Sequence, residues 1–162
     1  MRHGIAAAGA SARSASDSER PLTAKGMKRT RRAAKGLAAL EPSVQKLLTS
    51  PLVRARQTAD IVAEALGLEN RIEDLPELAP AGEVEKITGR IASFQEAEGF
   101  MLVGHQPLLG KLASFLLTGN THLQIDLKKS SVCCISVDSL PVVKNGILRW
   151  MLTPRQLRNL AR

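Results

Sequence analysis

Four side chains suited to binding an oxyanion stand out in this sequence, although they lie far apart along it. Arg2 and His3 open the chain in MRHG, Arg54 lies in SPLVRARQT, and His105 lies in VGHQP. Arginine stays charged and can donate two hydrogen bonds to one phosphate, and a neutral imidazole is a competent nucleophile near pH 7. If the fold brings them together, these residues predict a site for a doubly charged phosphoryl group.

The elements around Arg54 and His105 predict that both residues reach one edge of a sheet. VQKLLTS, residues 44–50, is typical of a buried strand, and the helix after it has Ser50 as its expected cap and Gly67 at its end. GFMLVGH is a second apolar strand, which ends at His105. Ligands bind beyond the carboxyl ends of parallel strands, and the helix N-terminus below Arg54 adds partial positive charge.

Strands alternate with helices along the rest of the chain. We expect a helix over 20–40 with Thr23 as its N-cap, a strand in RIEDLPEL, a helix over 83–96, a helix in PLLGKLASFLLTG, and a last helical turn in TPRQLRNLAR. SVCCISVD and GILRWMLT resemble a hairpin at the sheet edge, turning near Lys144, Asn145 and Gly146. The pattern predicts an α/β fold, a three-layer α/β/α sandwich with a mainly parallel central sheet, as a single domain over 1–162.

Three motifs in order, RHG, SPLVRARQT and VGHQP, resemble the histidine phosphatase (phosphoglycerate mutase-like) superfamily. SDSERPLTAKG and LPELAPAG are similar to its SixA-type phosphohistidine phosphatases. The resemblance implies that His3 is the nucleophile and that Arg2, Arg54 and His105 hold the phosphoryl oxygens. Gly4 would let the backbone come close to the nucleophilic ring and so belongs to the substrate-binding set.

Arg20 and Glu77 are two further candidates with open roles. Arg20, in SERPLT, either reaches the phosphate or pairs with Asp17 or Glu19. Glu77, in LPEL, lies near the position where the wider superfamily keeps a general acid, which SixA-like members often lack. Phosphohistidine leaves as a neutral imidazole once its ring is protonated, so such a substrate could dispense with a proton donor.

The resemblance implies hydrolysis through a covalent phosphohistidine intermediate on His3, with no cofactor and no metal. The implied partner is a protein bearing phosphohistidine, such as a histidine phosphotransfer domain, or a small phosphorylated substrate; phosphate, sulfate and vanadate are expected in the site. Two alternatives stay open. One is a phosphatase of small phosphate monoesters with the same fold, and the other is a non-catalytic module that binds anions or phosphoproteins.

Composition narrows the partners. The net charge is +8 and the aromatic content only 2%, so the surface attracts anions but offers few stacking platforms, which argues against nucleic acid. No stretch is long and apolar enough to predict a membrane span, and the adjacent Cys133 and Cys134 are expected to be buried and structural, so we predict a cytoplasmic protein.

The basic run over 25–35 has two interpretations, a solvated helix face or a docking surface for an acidic phosphoprotein.

The start of the chain conflicts with the resemblance. In the family the Arg-His-Gly motif follows a central apolar strand, whereas here only Met1 precedes it. We therefore expect the first central strand to be truncated, either because the start was assigned too late or because this is a shortened form.

Overall fold

In the computed structural model, which describes residues 1–8, 16–94, 99–138 and 146–161, a parallel sheet lies at the centre of the fold. Its strands are β1 (Lys46–Thr49), β2 (Ile72–Asp74) and β3 (Phe100–Val103), in the order β2-β1-β3. Leu47 of β1 lies opposite Ile72 and Met101 in the parallel registers. The predicted strand over 44–50 is therefore confirmed, with shorter ends.

Helices cover both faces of this sheet. They are α1 (Ala24–Ala38), α2 (Val53–Leu66), α3 (Val84–Ala92), α4 (Leu108–Thr118) and α5 (Pro154–Leu160). Because successive strand residues point to opposite faces, Leu47 packs with α1, α2 and α5, whereas Leu48 packs with α3 and α4. Both leucines are fully buried. The predicted three-layer α/β/α fold with a parallel sheet is confirmed.

An antiparallel hairpin continues the sheet on the far side of β3. It consists of β4 (Val132–Ser136) and β5 (Ile147–Leu152). Arg2 lies between β3 and this hairpin: it forms a parallel bridge with Gly104 and donates its backbone N–H to the carbonyl of Ser131 at 3.1 Å. The hairpin is as expected, and its predicted turn at Lys144 and Asn145 lies outside the described residues.

Met1 is buried beside β3. Its amine donates to the carbonyl of Leu102 at 2.6 Å, and its own carbonyl accepts from the backbone N–H of Gly104 at 3.2 Å. Burial lowers the pKa of this amine to about 5. An apolar cavity of about 180 Å³ adjoins Met1, lined mainly by residues of β3, β4 and α4.

The helix ends test the expected caps. Thr23 caps α1 by accepting the N–H of Gly26 at 2.9 Å, and Gly67 ends α2 in a left-handed conformation, as predicted. The prediction that Ser50 caps α2 is wrong, because that helix begins two residues later, after Leu52. The expected helix over 83–96 ends at Ala92, and residues 95 and 96 lie outside the described part.

Two further sequence predictions concern the cysteines and membranes. Cys133 and Cys134 are free and half-buried, so the expectation of full burial is wrong; they lie on a strand of the outer hairpin, where solvent reaches part of each side chain. Among the described residues, none of the helices has the length and apolar character needed to cross a bilayer.

Candidate active site

Two chain segments bring His3 and His105 together at the carboxyl edge of the sheet. The backbone N–H of His3 donates to the carbonyl of Gly104 at 3.0 Å, which places it beside the end of β3. The ring centroids of His3 and His105 lie 5.0 Å apart, with the ring planes tilted by 55°. Both residues are buried, at 7% and 3% exposure. Residues 102 positions apart thus share one site.

The ring of His3 is held as one neutral tautomer. Its Nδ1 lies 2.8 Å from the carbonyl oxygen of Gly4; this oxygen can only accept, so Nδ1 carries the proton and Nε2 keeps its lone pair. Burial is the main reason that the pKa of His3 is lowered to about 4. The charges of Arg54 and Arg2 also lower it, whereas the hydrogen bond to Gly4 raises it. The imidazole is therefore neutral near pH 7.

Gly4 is fixed by close packing below the ring. Its N–H donates to the hydroxyl of Thr58 at 3.0 Å, and a Cβ at this position would lie 2.4 Å from Oγ1 of Thr30. Any larger side chain would push the backbone next to His3 out of place. The structure thus gives Gly4 a steric role against Thr30, and the expectation that it lets the backbone approach the ring of His3 stays a prediction.

Ser50 orients the second imidazole. Its hydroxyl lies 2.8 Å from Nε2 of His105, and its backbone N–H donates to the carbonyl of Val103 at 2.9 Å. When the hydroxyl donates to Nε2, the ring proton lies on Nδ1 and is free to donate to an anion. Burial, together with the effects of His3 and Arg54, lowers the pKa of His105 to about 3.

Arg54 lies in the first turn of α2 and is buried at 5% exposure. Its guanidinium donates to the backbone carbonyl of Asp17 at 2.5 Å and to the carboxylate of Asp17 at 2.9 Å. Arg20 donates to the other oxygen of the same carboxylate at 2.6 Å. The structure thus shows Arg20 paired with Asp17, which was one of the two interpretations of this residue. Hydrogen bonds from Arg20 and, as the next largest cause, from Arg54 lower the pKa of Asp17.

Arg2 and Glu77 each carry a buried polar atom without a partner among the described residues. These atoms are Nε of Arg2 and Oε2 of Glu77. Arg2 also donates from its guanidinium to the carbonyl of Leu127 at 2.7 Å. Glu77 lies in a short 3₁₀ turn whose Leu78 carbonyl packs against Gly104, and no hydrogen bond joins its carboxylate to His3 or His105.

Two residues of this arrangement, Ser50 and Asp17, were not predicted as site residues. Ser50 was expected to cap a helix, although its position directly after β1 puts it at the same edge as His105. Asp17 was considered only as a partner of Arg20. No local pattern shows that one carboxylate lies between two arginines that are 34 positions apart.

The electrostatics of the site favour a dianion. Positive guanidinium groups lie close enough to both neutral imidazoles to lower their pKa values. A phosphoryl group would bring opposite charge to this region and find arginine donors beside a neutral nucleophile. Within residues 1–8, 16–94, 99–138 and 146–161, no three His, Cys, Asp or Glu side chains lie together as metal ligands would.

Comparison with known proteins agrees with this geometry. The model of the histidine phosphatase superfamily (branch 1) matches residues 1–96, which include Arg2, His3 and Arg54. The chain belongs to the histidine phosphatase superfamily. It is 32% identical over 160 residues to the phosphohistidine phosphatase SixA of Escherichia coli (strain K12), with 98% of this chain and 94% of that protein covered.

Solved structures place this histidine phosphatase superfamily member among similar folds. The protein histidine phosphatase SixA complexed with tungstate superimposes with a TM-score of 0.83 at 32% identity, covering 97% of this chain and 96% of the other. Phosphoglycerate mutase from Bacillus anthracis gives a TM-score of 0.69 at 14% identity, covering 99% and 94%, and shows the shared fold alone. The resemblance predicted from RHG, SPLVRARQT and VGHQP is confirmed.

Proposed function

We propose that this protein is a phosphohistidine phosphatase that uses His3 as its nucleophile. The observation that carries the proposal is the 5.0 Å separation of the His3 and His105 rings at the sheet edge, beside the buried Arg54. The similarity to SixA over nearly the whole chain supports the substrate class. The tungstate bound to the similar SixA structure fits a tetrahedral dianion in this region.

In the first step, Nε2 of His3 attacks phosphorus. A P–N bond forms on His3 while the bond between phosphorus and the substrate's imidazole nitrogen breaks. That nitrogen keeps the bonding electron pair, so the substrate ring, already protonated on its other nitrogen, leaves as neutral imidazole. The hydrogen bond from Nδ1 to Gly4 and the low pKa keep the attacking lone pair free. Arg2, Arg54 and His105 stabilise the charge on the transferring oxygens.

In the second step, water attacks the phosphorus on His3. The P–N bond breaks, Nε2 regains its lone pair, and inorganic phosphate leaves with the oxygen of that water. Arg54 uses two of its five guanidinium N–H groups to bind Asp17, and we expect it to turn the group towards the phosphoryl oxygens when the phosphorylated substrate binds. The proposal includes no metal.

Glu77 is not required for this substrate. Protonated phosphohistidine already has a good leaving group, and the Glu77 carboxylate makes no hydrogen bond to either imidazole. Glu77→Gln should keep the turnover of phosphohistidine within a few-fold of the native protein. Loss of that turnover would overturn this part of the proposal and assign Glu77 a role in proton transfer.

The decisive experiment follows the phosphoryl group. Incubation with a radiolabelled phosphohistidine protein, quenched early, should leave acid-labile and base-stable label on this chain, and His3→Ala should abolish the label and lower turnover by about 10³-fold or more. His122→Ala is the matched control, because His122 is an exposed histidine outside helices and strands. Labelling that persists in His3→Ala would overturn the mechanism.

Activity on different substrates distinguishes a phosphohistidine phosphatase from a monoester phosphatase and from a binding module. Sugar and nucleotide phosphates should be hydrolysed far more slowly than phosphohistidine, and vanadate should inhibit hydrolysis. Preference for a small monoester would make the protein a monoester phosphatase. Anion binding without turnover of any of these substrates would make it a binding module.

A further inference from the structure

A second cationic cleft lies next to the candidate active site. It has a volume of about 390 Å³ and joins α1, the segment before β4 and the start of α5. Its lining consists of five cations and three uncharged residues: Arg2, Arg29, Lys128, Lys129 and Arg158, with Ile5, Ser130 and Pro154. We call it the basic cleft. Among the described residues, no carboxylate lines it.

The cations of the basic cleft repel one another. None of them forms an ion pair with a carboxylate of the described residues. Burial lowers the pKa of Arg158, and the charges of Arg29, Arg32 and Arg155 lower it further. Like charges gathered around one cavity destabilise the folded chain, so an anion entering the cavity relieves an existing repulsion.

A strained residue holds part of this cleft in place. Ser130 has a φ of 66°, in the left-handed region that a residue with a side chain rarely adopts. Its N–H donates to the carbonyl of Arg2 at 3.0 Å, and its hydroxyl lies 3.1 Å from that of Thr30 in α1. These bonds fix the segment that carries Lys128 and Lys129 against the backbone of the Arg-His-Gly motif. Such strain persists only where the surroundings enforce it.

The cleft and the active site share a wall. Arg2 lines the basic cleft and directly precedes His3, and the charge of Lys129 contributes to lowering the pKa of His3. A partner that fills the cleft therefore lies beside the nucleophile. Arg29 brings one member of the basic run over 25–35 to this wall, whereas Lys28 of the same run does not line it.

We infer that the basic cleft binds acidic side chains on the surface of the protein whose phosphohistidine is hydrolysed at His3. This inference rests on the proposed function and adds how the protein substrate is held. Charge complementarity favours carboxylates, since five cations line a cavity that has room for several short side chains. Nucleic acid fits poorly, because none of the described residues that line the cleft is aromatic and could serve as a stacking platform.

The test removes three cleft charges without touching the catalytic residues. The cleft variant carries Arg29→Ala, Lys128→Ala and Arg158→Ala. The control variant carries Lys25→Ala, Arg31→Ala and Lys35→Ala, which remove the same charge from exposed positions of α1 outside the cleft. Each is assayed on free phosphohistidine and on an acidic phosphohistidine domain.

The cleft variant should raise KM for the acidic domain by about tenfold or more and leave kcat within about twofold, because the lost contacts act on binding. The native KM should rise with salt, and the cleft variant should lose most of that dependence. Free phosphohistidine should be hydrolysed equally by all three proteins. An unchanged KM in the cleft variant, or an equal rise in the control variant, would overturn the inference.

A binding measurement tests this inference separately from the proposed function. A fluorescein-labelled polyglutamate peptide should bind the native protein and the control variant, and its Kd should rise about tenfold or more in the cleft variant. If that result comes with no turnover of phosphohistidine, the proposed function fails, whereas binding of acidic side chains in the basic cleft is supported. Cleft-dependent binding of single-stranded DNA or phosphatidylserine vesicles, without binding of the peptide, would overturn the inference.

Discussion

The chemistry of the candidate site depends on two buried, neutral imidazoles, each oriented by a different contact. His3 gives its Nδ1 proton to the carbonyl of Gly4, whereas His105 pairs with the hydroxyl of Ser50. Burial is the largest cause of both low pKa values, and the nearby Arg54 adds to it. The positive charge that attracts an anion to the site thus also keeps the nucleophilic imidazole neutral, because it disfavours imidazolium.

The first prediction at this scale concerns protonation. The folded pKa values of about 4 for His3 and about 3 for His105 lie below the ordinary 6.5, so the unfolded chain binds more protons between pH 6.5 and 4. Both rings should stay neutral down to about pH 5 in a ¹H–¹⁵N NMR titration, and their contribution to the free energy of unfolding should fall as the pH drops through that window. Bound vanadate should raise both pKa values. Titration of either ring near 6.5 in the anion-free protein would contradict this prediction.

The second prediction concerns Asp17, which forms ion pairs with both Arg54 and Arg20. Asp17→Asn removes a negative charge that competes with a bound anion, so the Kd for vanadate should fall by about two- to fivefold. Asp60→Asn is the matched control, since Asp60 pairs only with Arg56 among the described residues. A weaker affinity in Asp17→Asn would show instead that Asp17 positions Arg54 for the ligand.

At the scale of elements, close helix packing sets the frame of the site. α1 packs tightly against α5, and the contact depends on Gly36: a Cβ there would lie 1.7 Å from the backbone carbonyl of Leu157. α1 in turn supplies Thr30, which contacts both Gly4 and Ser130. A shift of α1 is therefore transmitted to the backbone beside His3.

Two glycine substitutions test this packing. Gly36→Ala should lower the free energy of unfolding by at least about 2 kcal/mol, because the clash is with backbone and not with a mobile side chain. Gly89→Ala is the matched control: it lies inside α3, a Cβ there would meet nothing within 4 Å, and it should stabilise by about 0.5–1 kcal/mol through helix propensity. Urea unfolding of both variants measures the difference. Equal stabilities would refute the role assigned to the α1–α5 contact.

The whole molecule is packed unevenly around its sheet. The core between the sheet and α2 contains Ala59 at 0% exposure, whereas an apolar cavity of about 180 Å³ lies between β3, β4 and α4, next to Ala113. Atoms that face this space make fewer dispersion contacts, so we expect this region to be less tightly packed than the core around Ala59.

A pair of core substitutions tests this difference. Ala113→Met should fill part of the cavity and raise the free energy of unfolding by about 1 kcal/mol. Ala59→Met adds the same side chain where no space exists and should lower it by about 1–3 kcal/mol. Both residues lie in helices, so helix propensity changes equally. Destabilisation by both variants would show that the cavity cannot accept a side chain.

The sequence by itself determined the layered fold, most elements and the convergence of Arg54 with His105, whereas the place of His3 beside them was implied by the family resemblance. These follow from local periodicity, from helix-end residues such as Thr23 and from the rule that parallel strands share one carboxyl edge. Only the tertiary structure decided that Ser50 orients His105, that Asp17 joins two arginines, and that Arg29 and Arg158 meet across one cleft. The physical reason is that such contacts depend on side-chain directions between elements distant in the chain, which no local pattern of residue types encodes.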